Sequence, residues 1–267
     1  MKYIDLRNIN DSSEPRMFKF PDGELHVEFH KEIDRKEYYI VISRVTSADE
    51  LFILMQVADV LNRNEVEWDL HITYLMGMRM DRVMSFTRPF TLKVVSTIVR
   101  NFGVNNIYIH DPHSSISTHL MGAQQILDDV HNDAYKTVVN PLVCYPDHGA
   151  FNKYYVLFEY VDAISFEKSR DTSTGKITCL HCDDIDKANG RNVIVVDDLI
   201  DGGATAVGIA EELRKNNPKS ITFSATHAVN ENGLRRVAEA YDNVFVSDSY
   251  RDWGSLCIDN IHVIKLA

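Results

Sequence analysis

Runs of apolar, often β-branched residues alternate along this chain with segments whose apolar residues recur every three or four positions. The first pattern predicts buried strands and the second predicts amphipathic helices. The predicted strands are 38–43, 68–75, 105–111, 137–146, 161–168, 191–200, 219–229, 243–248 and 260–266. The predicted helices are 48–63, 91–103, a stretch reaching about residue 130, 151–160, 204–216 and about 231–240. Strand–helix repetition of this kind predicts an α/β fold, with parallel sheets and flanking helices.

The repetition divides into two α/β units that meet near residue 140. We expect an N-terminal domain over 1–140 and a C-terminal domain over 141–267, packed closely because no low-complexity linker separates them. One long doubly wound domain is the alternative arrangement. In open parallel sheets, ligands bind beyond the carboxyl ends of the strands, so the residues that carry chemistry should follow strands.

Composition and charge narrow the function. Acidic residues outnumber basic residues by 39 to 28, and the formal net charge is −11. Such a chain lacks the basic surface that sequence-independent binding to nucleic acid or to a membrane requires. No apolar run suits a membrane span, and the first residues do not have the pattern of a signal peptide. The four cysteines form no spaced framework, so we expect reduced thiols in a cytoplasmic protein.

The segment 193–206 carries the strongest chemical signal. A predicted buried strand runs into Asp197 and Asp198, and a turn rich in small residues then leads into a helix. The turn consists of Asp201, Gly202, Gly203, Ala204 and Thr205. Small residues let the amides at a helix start approach an anion, and two carboxylates can face ribose hydroxyls or hold a metal ion. The alternative is a strand, turn and helix that carry two aspartates by chance.

Six further segments have a recognisable order. They are Phe20–Glu24 (F-P-D-G-E), Arg79–Arg82 (R-M-D-R), Asp111–Ser114 (D-P-H-S), Pro146–Gly149 (P-D-H-G), Glu167–Asp171 (E-K-S-R-D) and Thr226-His227. Together with 193–206 they resemble the ribose-phosphate diphosphokinase (phosphoribosyl diphosphate synthetase) family over nearly the whole chain from residue 18. The resemblance implies two type I phosphoribosyltransferase-like units with parallel central sheets.

The resemblance also implies a role for each segment. The residues that would bind ATP are Phe20, Asp22, Glu24, Arg79, Asp81 and His113. The residues that would bind the ribose phosphate are Asp197, Asp198, Asp201, Gly202, Gly203, Ala204 and Thr205. Lys168 and Arg170 would be the catalytic pair on a flexible loop, and His113 and Asp147 would lie at the metal site. A homo-oligomer is implied as well, because the family's early segment reaches the nucleotide site of a neighbouring subunit.

The implied reaction requires residues of these types. The 1-hydroxyl of the sugar would attack the β-phosphorus of ATP, and AMP would leave. Charge accumulates on the phosphate oxygens, so cations must lie where it develops. Mg²⁺ is the expected cofactor, because it prefers oxygen ligands such as the carboxylate of Asp147. Lys168 and Arg170 can close over the transferring group and exclude water.

Simpler interpretations exist for single residues. His113 can be a hydrogen-bonded histidine at a strand end, and Lys168 with Arg170 can be a solvated pair on an exposed hairpin. The arginines of 79–82 can be partners of the intervening aspartate in a surface ion pair.

The sugar-phosphate turn departs from the family pattern. Relatives usually carry D-T-G-G-T or D-T-G-G-S, whereas this chain has Gly202 in place of the first threonine and Ala204 in place of the second glycine. The missing hydroxyl removes a hydrogen bond to a 5-phosphate monoester and opens space. A phosphate diester needs that space, so ADP-ribose fits at least as well as ribose 5-phosphate. ADP-ribose as acceptor would connect the protein to NAD metabolism.

Three functions remain after these observations. The leading hypothesis is a diphosphokinase that acts on ATP·Mg²⁺ and a ribose 5-phosphate-type sugar. A phosphoribosyltransferase would share the turn but would leave Arg79, His113 and Asp147 without a role. A non-catalytic relative that regulates an active enzyme would be expected to lack the catalytic pair, yet Lys168 and Arg170 are present.

Overall fold

The structure, a computed structural model, describes residues 1–10, 12–127, 130–170 and 177–266. The chain forms two compact units, residues 1–127 and residues 128–267. Each unit has its own hydrophobic core. The predicted boundary after residue 140 lies a short distance inside the second unit, between its first helix and its first strand. That ATP belongs to the first half and the ribose phosphate to the second stays a prediction.

The first unit is built on a parallel sheet. Its strands are β1 (Lys2–Asp5), β4 (Tyr39–Val45), β5 (Trp68–Leu75), β6 (Asn106–His110) and β7 (Gln124–Ile126). They lie in the order β1-β4-β5-β6-β7, and every neighbouring pair is parallel. The helices of this unit are α1 (Ala48–Arg63), α2 (Thr91–Val99) and α3 (Ser115–Met121). A separate antiparallel hairpin consists of β2 (Arg16–Lys19) and β3 (Leu25–Glu28).

Local sequence explains why α1 forms where it does. Ser47 precedes the helix, and its side chain accepts a hydrogen bond from the Glu50 N–H at 3.2 Å. Asp49 and Glu50 place negative charge in the first turn, where it stabilises the helix dipole. Leu54 and Leu61, seven residues apart, lie on one face and are fully buried. Burying each contributes about 1.5–3 kcal/mol, so packing against the core, more than the cap, holds the helix.

The second unit has a larger parallel sheet. Its strands are β8 (Leu142–Tyr145), β9 (Ala163–Ser165), β12 (Asn192–Ile200), β13 (Ser220–Ala228), β14 (Asn243–Ser247) and β15 (Ile261–Ile264). They lie in the order β15-β14-β13-β12-β8-β9, again with every neighbouring pair parallel. Two strands outside this sheet, β10 (Glu167–Arg170) and β11 (Ile177–His181), pair with each other antiparallel. The helices are α4 (Val130–Lys136), α5 (His148–Tyr154), α6 (Ala204–Lys215) and α7 (Glu231–Ala240).

The central strand β12 directs the chemistry of this unit to one edge of the sheet. Val193, Ile194, Val195 and Val196 are fully buried, as expected for a parallel strand covered on both faces. The polar residues Asp197 and Asp198 follow where the strand approaches its carboxyl end. β8 lies beside β12 and runs in the same direction, so the residues that follow β8 emerge at the same edge.

Several predicted elements differ from the observed ones for local reasons. The strand expected over 137–146 is shortened to β8, because Asn140 is left-handed (φ 49°) and Pro141 lacks an N–H for the ladder. The strand expected over 161–168 is two strands, β9 and β10, which buried Phe166 separates. The helix expected over 151–160 gives way after Tyr154 to a single 3₁₀ turn.

The predicted fold class is confirmed: the chain is α/β, with two parallel central sheets and flanking helices. Within the described residues, no helix is both long and apolar enough to cross a membrane. Cys144, Cys182 and Cys257 are free thiols.

Candidate active site

Asp147 is fixed at the start of α5. It follows the carboxyl end of β8, and its extended backbone (φ −166°, ψ 177°) makes it the N-cap of the helix. Its Oδ1 accepts a hydrogen bond from the Ala150 N–H at 3.0 Å. A Cβ added at Gly149 would lie 3.1 Å from that oxygen, so the glycine leaves the carboxylate room. The P-D-H-G segment therefore holds one carboxylate oxygen in place and leaves the other available to a cation.

Lys168 supplies that cation. It lies on β10, outside the six-stranded sheet, and its Nζ forms an ion pair with Oδ2 of Asp147. Both side chains are largely buried, with 23% and 29% of their surfaces exposed. Burial alone would raise the pKa of Asp147, but hydrogen bonds from Lys168 and from the Ala150 amide hold it below its ordinary value. Asp147 is therefore an ionised carboxylate at neutral pH.

Asp197 has the opposite character. Burial raises the pKa of Asp197 well above its ordinary value, and the negative charges of Asp198 and Asp147 raise it further. Lys168 acts in the other direction and lowers it. The three side chains of Asp147, Lys168 and Asp197 thus influence one another electrostatically, although they come from three different strands or strand ends. The site gathers more negative charge than one lysine balances, which favours binding of a cation there.

The turn from Asp201 to Thr205 leads from β12 into α6. Gly203 is the N-cap and is left-handed (φ 76°), a conformation that glycine adopts without the cost of a Cβ. As a glycine, Gly203 has no side chain with which to cap the first amides of α6. Those amides and the positive end of the helix dipole are therefore suited to an anion such as a phosphate.

Helix α7 packs directly against this turn. A Cβ at Gly203 would lie 2.9 Å from the carbonyl oxygen of Gly233, and a Cβ at Gly233 would overlap the carbonyl of Asp201. The helix and the turn can approach only because both positions lack side chains. Sequence reasoning missed Gly233. A glycine near the start of a predicted helix was the signal that a close backbone contact occurs there.

Thr226 and His227 lie within β13 and are fully buried. The Nδ1 of His227 is 2.8 Å from the Oγ of Ser249, and that hydroxyl donates to the carbonyl of Thr226 at 3.1 Å. The T-H segment is thus part of the sheet interior beside the site.

In the first unit, the structure brings two of the predicted ATP segments together. Asp81 is buried (4% exposed) and accepts a hydrogen bond from the Arg82 guanidinium at 2.9 Å. Burial would raise the pKa of Asp81, but hydrogen bonds from Arg82 and Ser114 and the positive influence of His113 lower it overall. The R-M-D-R and D-P-H-S segments therefore meet around one ionised carboxylate. Asp111 begins the second segment with a left-handed backbone (φ 41°), which redirects the chain after β6.

The F-P-D-G-E segment forms the turn of the β2–β3 hairpin. The Glu24 N–H donates to Oδ1 of Asp22 at 3.1 Å, and Gly23 takes a left-handed conformation. The ring of Phe20 is 44% exposed and lies 5.2 Å from Phe18, centroid to centroid. The side chain of Gln56 ties the hairpin to α1, since it accepts a hydrogen bond from the Val27 N–H and donates one to the Leu25 carbonyl. Phe20, Asp22 and Glu24 therefore belong to an exposed hairpin, and their link to ATP stays a prediction.

Two predicted residues remain less defined. The backbone of Arg170 ends β10, but its side chain lies outside the described part of the chain. His113 influences Asp81 in the first unit, and its role as a metal ligand stays a prediction.

The donor set of the second unit fits Mg²⁺. Among the described residues, no three His, Cys, Asp or Glu side chains cluster closely enough to hold a metal by themselves. Mg²⁺ does not require such a cage, since it usually takes one or two carboxylates and fills its remaining positions with water and substrate oxygens. Asp147 and Asp197 are carboxylate donors of this kind, and the negative charge of Asp147 acts on Asp197.

Comparisons with known proteins identify relatives of the chain in both sequence and fold. Residues 136–253 match the phosphoribosyl transferase domain family, and this range contains Asp147, Lys168 and the whole turn. The fold resembles the crystal structure of phosphoribosylpyrophosphate synthetase from Mycobacterium smegmatis, with a TM-score of 0.72 at 18% identity. That match covers 93% of this chain and 85% of the other.

Curated relatives extend the similarity to most of the sequence. The ribose-phosphate pyrophosphokinase of Thermococcus kodakarensis is 30% identical over 257 residues, which cover 92% of this chain and 89% of the relative. The ribose-phosphate pyrophosphokinase of Mycoplasmopsis pulmonis is 28% identical over 262 residues, covering 92% and 77%. Since the similarity to the Thermococcus kodakarensis relative reaches 30% identity and covers most of both sequences, the chain belongs to the ribose-phosphate pyrophosphokinase family of enzymes.

Proposed function

We propose that this protein transfers the β,γ-diphosphoryl group of ATP to the 1-hydroxyl of ribose 5-phosphate, giving AMP and a ribosyl 1-diphosphate. The observation that carries the proposal is the group formed by Asp147, Lys168 and Asp197 beside an uncapped helix start. A phosphate-binding turn, a carboxylate pair and a lysine at one sheet edge supply an anchor for the sugar, an anchor for a cation and a mobile positive charge.

The transfer makes one bond and breaks one bond. The sugar's anomeric oxygen attacks the β-phosphorus of ATP, the bridging oxygen leaves with AMP, and the hydroxyl proton passes to solvent. Negative charge grows on the phosphate oxygens and on the leaving AMP. Lys168 can meet this charge because its ammonium lies at the same sheet edge as the turn.

Asp197 and Asp198 serve the sugar. They precede the turn at the carboxyl end of β12, where ribose hydroxyls could donate to a carboxylate. Asp147, with Asp197, would hold Mg²⁺, which supplies charge neutralisation and alignment of the diphosphate when bound. ATP would contact the Asp81 group in the first unit through Arg79 and His113.

We further propose that the enzyme is a cytoplasmic homo-oligomer in which the exposed Phe20 hairpin serves a neighbour's nucleotide. Sedimentation measures the assembly state. Mixing two inactive variants, Phe20→Ala and Lys168→Ala, tests the shared site: partial recovery of activity is expected only if the two residues act across a subunit boundary. A fully active monomer would rule out this arrangement.

A second acceptor, ADP-ribose, is favoured by one observation. A Cβ added at Gly202 would meet no atom within 4 Å, so the turn is open where relatives usually carry threonine. The relatives' names specify ribose phosphate, so ADP-ribose as acceptor rests on this space and on the missing hydroxyl. The lost hydrogen bond should weaken monoester binding by about 1.5–3 kcal/mol.

One experiment tests both acceptors. The protein is incubated with ATP, Mg²⁺ and either ribose 5-phosphate or ADP-ribose, and AMP release is measured, with Asp147→Asn as an inactive control. AMP that appears only with an acceptor supports the transfer. Absence of AMP with both acceptors would refute the proposed function and favour a phosphoribosyltransferase or a non-catalytic role. Strong activity on ribose 5-phosphate with none on ADP-ribose would end the second proposal alone.

A further inference from the structure

The side chain of Arg236 contacts the sugar-phosphate turn (residues 201–205) at Gly202. It lies on the second turn of α7 and is exposed, and its Nη1 donates to the carbonyl oxygen of Gly202 at 3.4 Å. The close approach of Gly203 and Gly233 fixes this placement, because it brings the start of α7 onto the turn. The guanidinium thus contacts the outer rim of the turn rather than the amides that begin α6.

Arg236 differs from the neighbouring arginines in its ion pairing. Arg235 and Arg251 both form ion pairs with Glu231, at 2.8 and 2.7 Å. In the described part of the chain, Arg236 has no carboxylate partner, and its contact with Gly202 uses one of the five N–H donors of a guanidinium. It therefore retains its positive charge and most of its hydrogen-bonding capacity for an anion.

The space around Gly202 determines which anion can reach the Arg236 guanidinium. A phosphate bound at the start of α6 would be the innermost group. Gly202, just before that start, has open space where a Cβ would lie, and its carbonyl oxygen contacts Arg236. A monoester ends at the first phosphate. A diphosphate ester continues outward and carries a second negative charge into the region of the guanidinium, where a charge-assisted hydrogen bond can form.

We propose that Arg236 is a specificity-determining residue that binds the second phosphate of an acceptor whose ribose carries a 5-diphosphate ester. This inference rests on the proposed function, because it takes the turn as the sugar-phosphate site. It assigns a role to a side chain outside the motif, and it separates the recognition of the extended acceptor from that of the first phosphate.

Calorimetric titration without ATP tests the proposal through binding alone. ADP-ribose and ribose 5-phosphate are titrated into the protein, into Arg236→Gln and into the matched control Arg235→Gln. Glutamine keeps a donor for the Gly202 carbonyl but removes the charge. Arg236→Gln should weaken ADP-ribose about five- to tenfold, since an exposed charge-assisted contact is screened, while ribose 5-phosphate changes less than twofold. Arg235→Gln should leave both affinities within twofold, and Arg236→Lys should keep most of the ADP-ribose affinity.

The outcomes separate this inference from the proposed function. An equal loss for both ligands, an unchanged ADP-ribose affinity, or a wild-type protein that does not bind ADP-ribose would overturn the role of Arg236. Those results can coexist with AMP release on ribose 5-phosphate, which would leave the transfer intact. A selective loss of ADP-ribose binding in a protein that releases no AMP would support Arg236 and refute the transfer. Thermal midpoints of the variants confirm that each is folded.

Discussion

Three side chains at the candidate active site carry charge in different ways. Asp147 is held ionised by Lys168 and by the Ala150 amide, whereas burial and two neighbouring carboxylates favour the protonated form of Asp197. Lys168 is the positive charge common to both. In the proposed reaction Asp147 would hold the cation, and Lys168 would then be available to the phosphate oxygens. The Asp147–Lys168 ion pair is the arrangement of the protein without ligands.

We predict that Lys168→Ala lowers kcat far more than it raises the KM for ATP. Its ammonium meets charge that appears mainly in the transition state, so its removal should cost about 2–4 kcal/mol, or roughly 10²–10³-fold in kcat. Steady-state kinetics of AMP release measures both constants. Lys187→Ala, at an exposed lysine paired with Asp184, is the control and should leave them unchanged. A raised KM with normal kcat would assign Lys168 to ground-state binding.

For the single residues of the candidate active site, the sequence predicted which residues take part better than it predicted the contacts between them. Asp147, Lys168 and Asp197 could be named because each follows or lies within a recognisable segment. Their mutual influence could not be predicted, because it depends on where β10 places a side chain relative to β8. Arg236 was missed for the same reason, because it reaches the turn through helix packing, and the glycine signal at Gly233 does not say which segment approaches it.

The turn and the two helices α6 and α7 form one packed element. Its backbone contacts are so close that two glycines, Gly203 and Gly233, cannot gain a side chain without displacing the other segment. At Gly202, which precedes Gly203 in sequence, an added Cβ would meet no atom within 4 Å. The same element therefore contains rigid positions and one adaptable position.

We predict that Gly203→Ala and Gly233→Ala each destabilise the protein by about 1–3 kcal/mol, through a strained left-handed backbone in the first and overlap with a carbonyl in the second. For Gly233, the gain in helix propensity, about 1 kcal/mol, offsets only part of this cost. Gly202→Ala is the matched control and should change stability by less than about 0.5 kcal/mol. Urea unfolding of the three variants measures the differences. Equal effects at all three positions would contradict the packing argument.

Strands β5 and β6 bring His71 close to two other rings. His71 packs against the rings of Tyr108 and His110, with centroid distances of 4.6 and 6.2 Å. Burial and the positive influence of His110 lower the pKa of His71 below its ordinary 6.5. Near pH 6.5 His71 therefore binds a proton more readily in the unfolded chain than in the folded chain. Its contribution lowers the free energy of unfolding as the pH drops below about 6.5. His71→Gln should reduce that slope in unfolding measurements between pH 7 and 5. An unchanged slope would show that His71 does not contribute.

The whole molecule consists of two units with separate cores, and each contains one of the two tryptophans. Trp68 is fully buried in the first unit, and its indole N–H donates to Asn62 at 3.0 Å. Trp253 is buried in the second unit beneath the Arg251 guanidinium, which lies 4.0 Å from the ring centroid. Alternating strands and helices allowed the α/β class and the two units to be predicted from the sequence. Short elements such as β1, β7 and β11 escaped prediction, because three to five residues carry too little periodicity.

These tryptophans allow the ligand assignment of the units to be tested. In Trp253→Phe the remaining fluorescence reports on the first unit, and in Trp68→Phe it reports on the second. Ribose 5-phosphate at about 100 times its Kd should stabilise the unit that binds it by about 2.7 kcal/mol. We expect the larger rise in urea midpoint in the Trp68→Phe variant, where Trp253 fluorescence reports on the second unit. A larger rise from Trp68 would place the sugar phosphate in the first unit.

Lys168 arrives on a pair of strands that belongs to neither parallel sheet. That pair is continuous with the chain after β9 and before β12, and Leu180 of β11 packs against the core of the second unit. Changes in its length or sequence need not shift the register of any strand that carries Asp147, Asp197 or the turn. Under the role proposed for Lys168, variation in this hairpin would change the rate of transfer more than the choice of ligand. A chimaera that carries a relative's hairpin would then differ in kcat and keep the ligand that the turn binds.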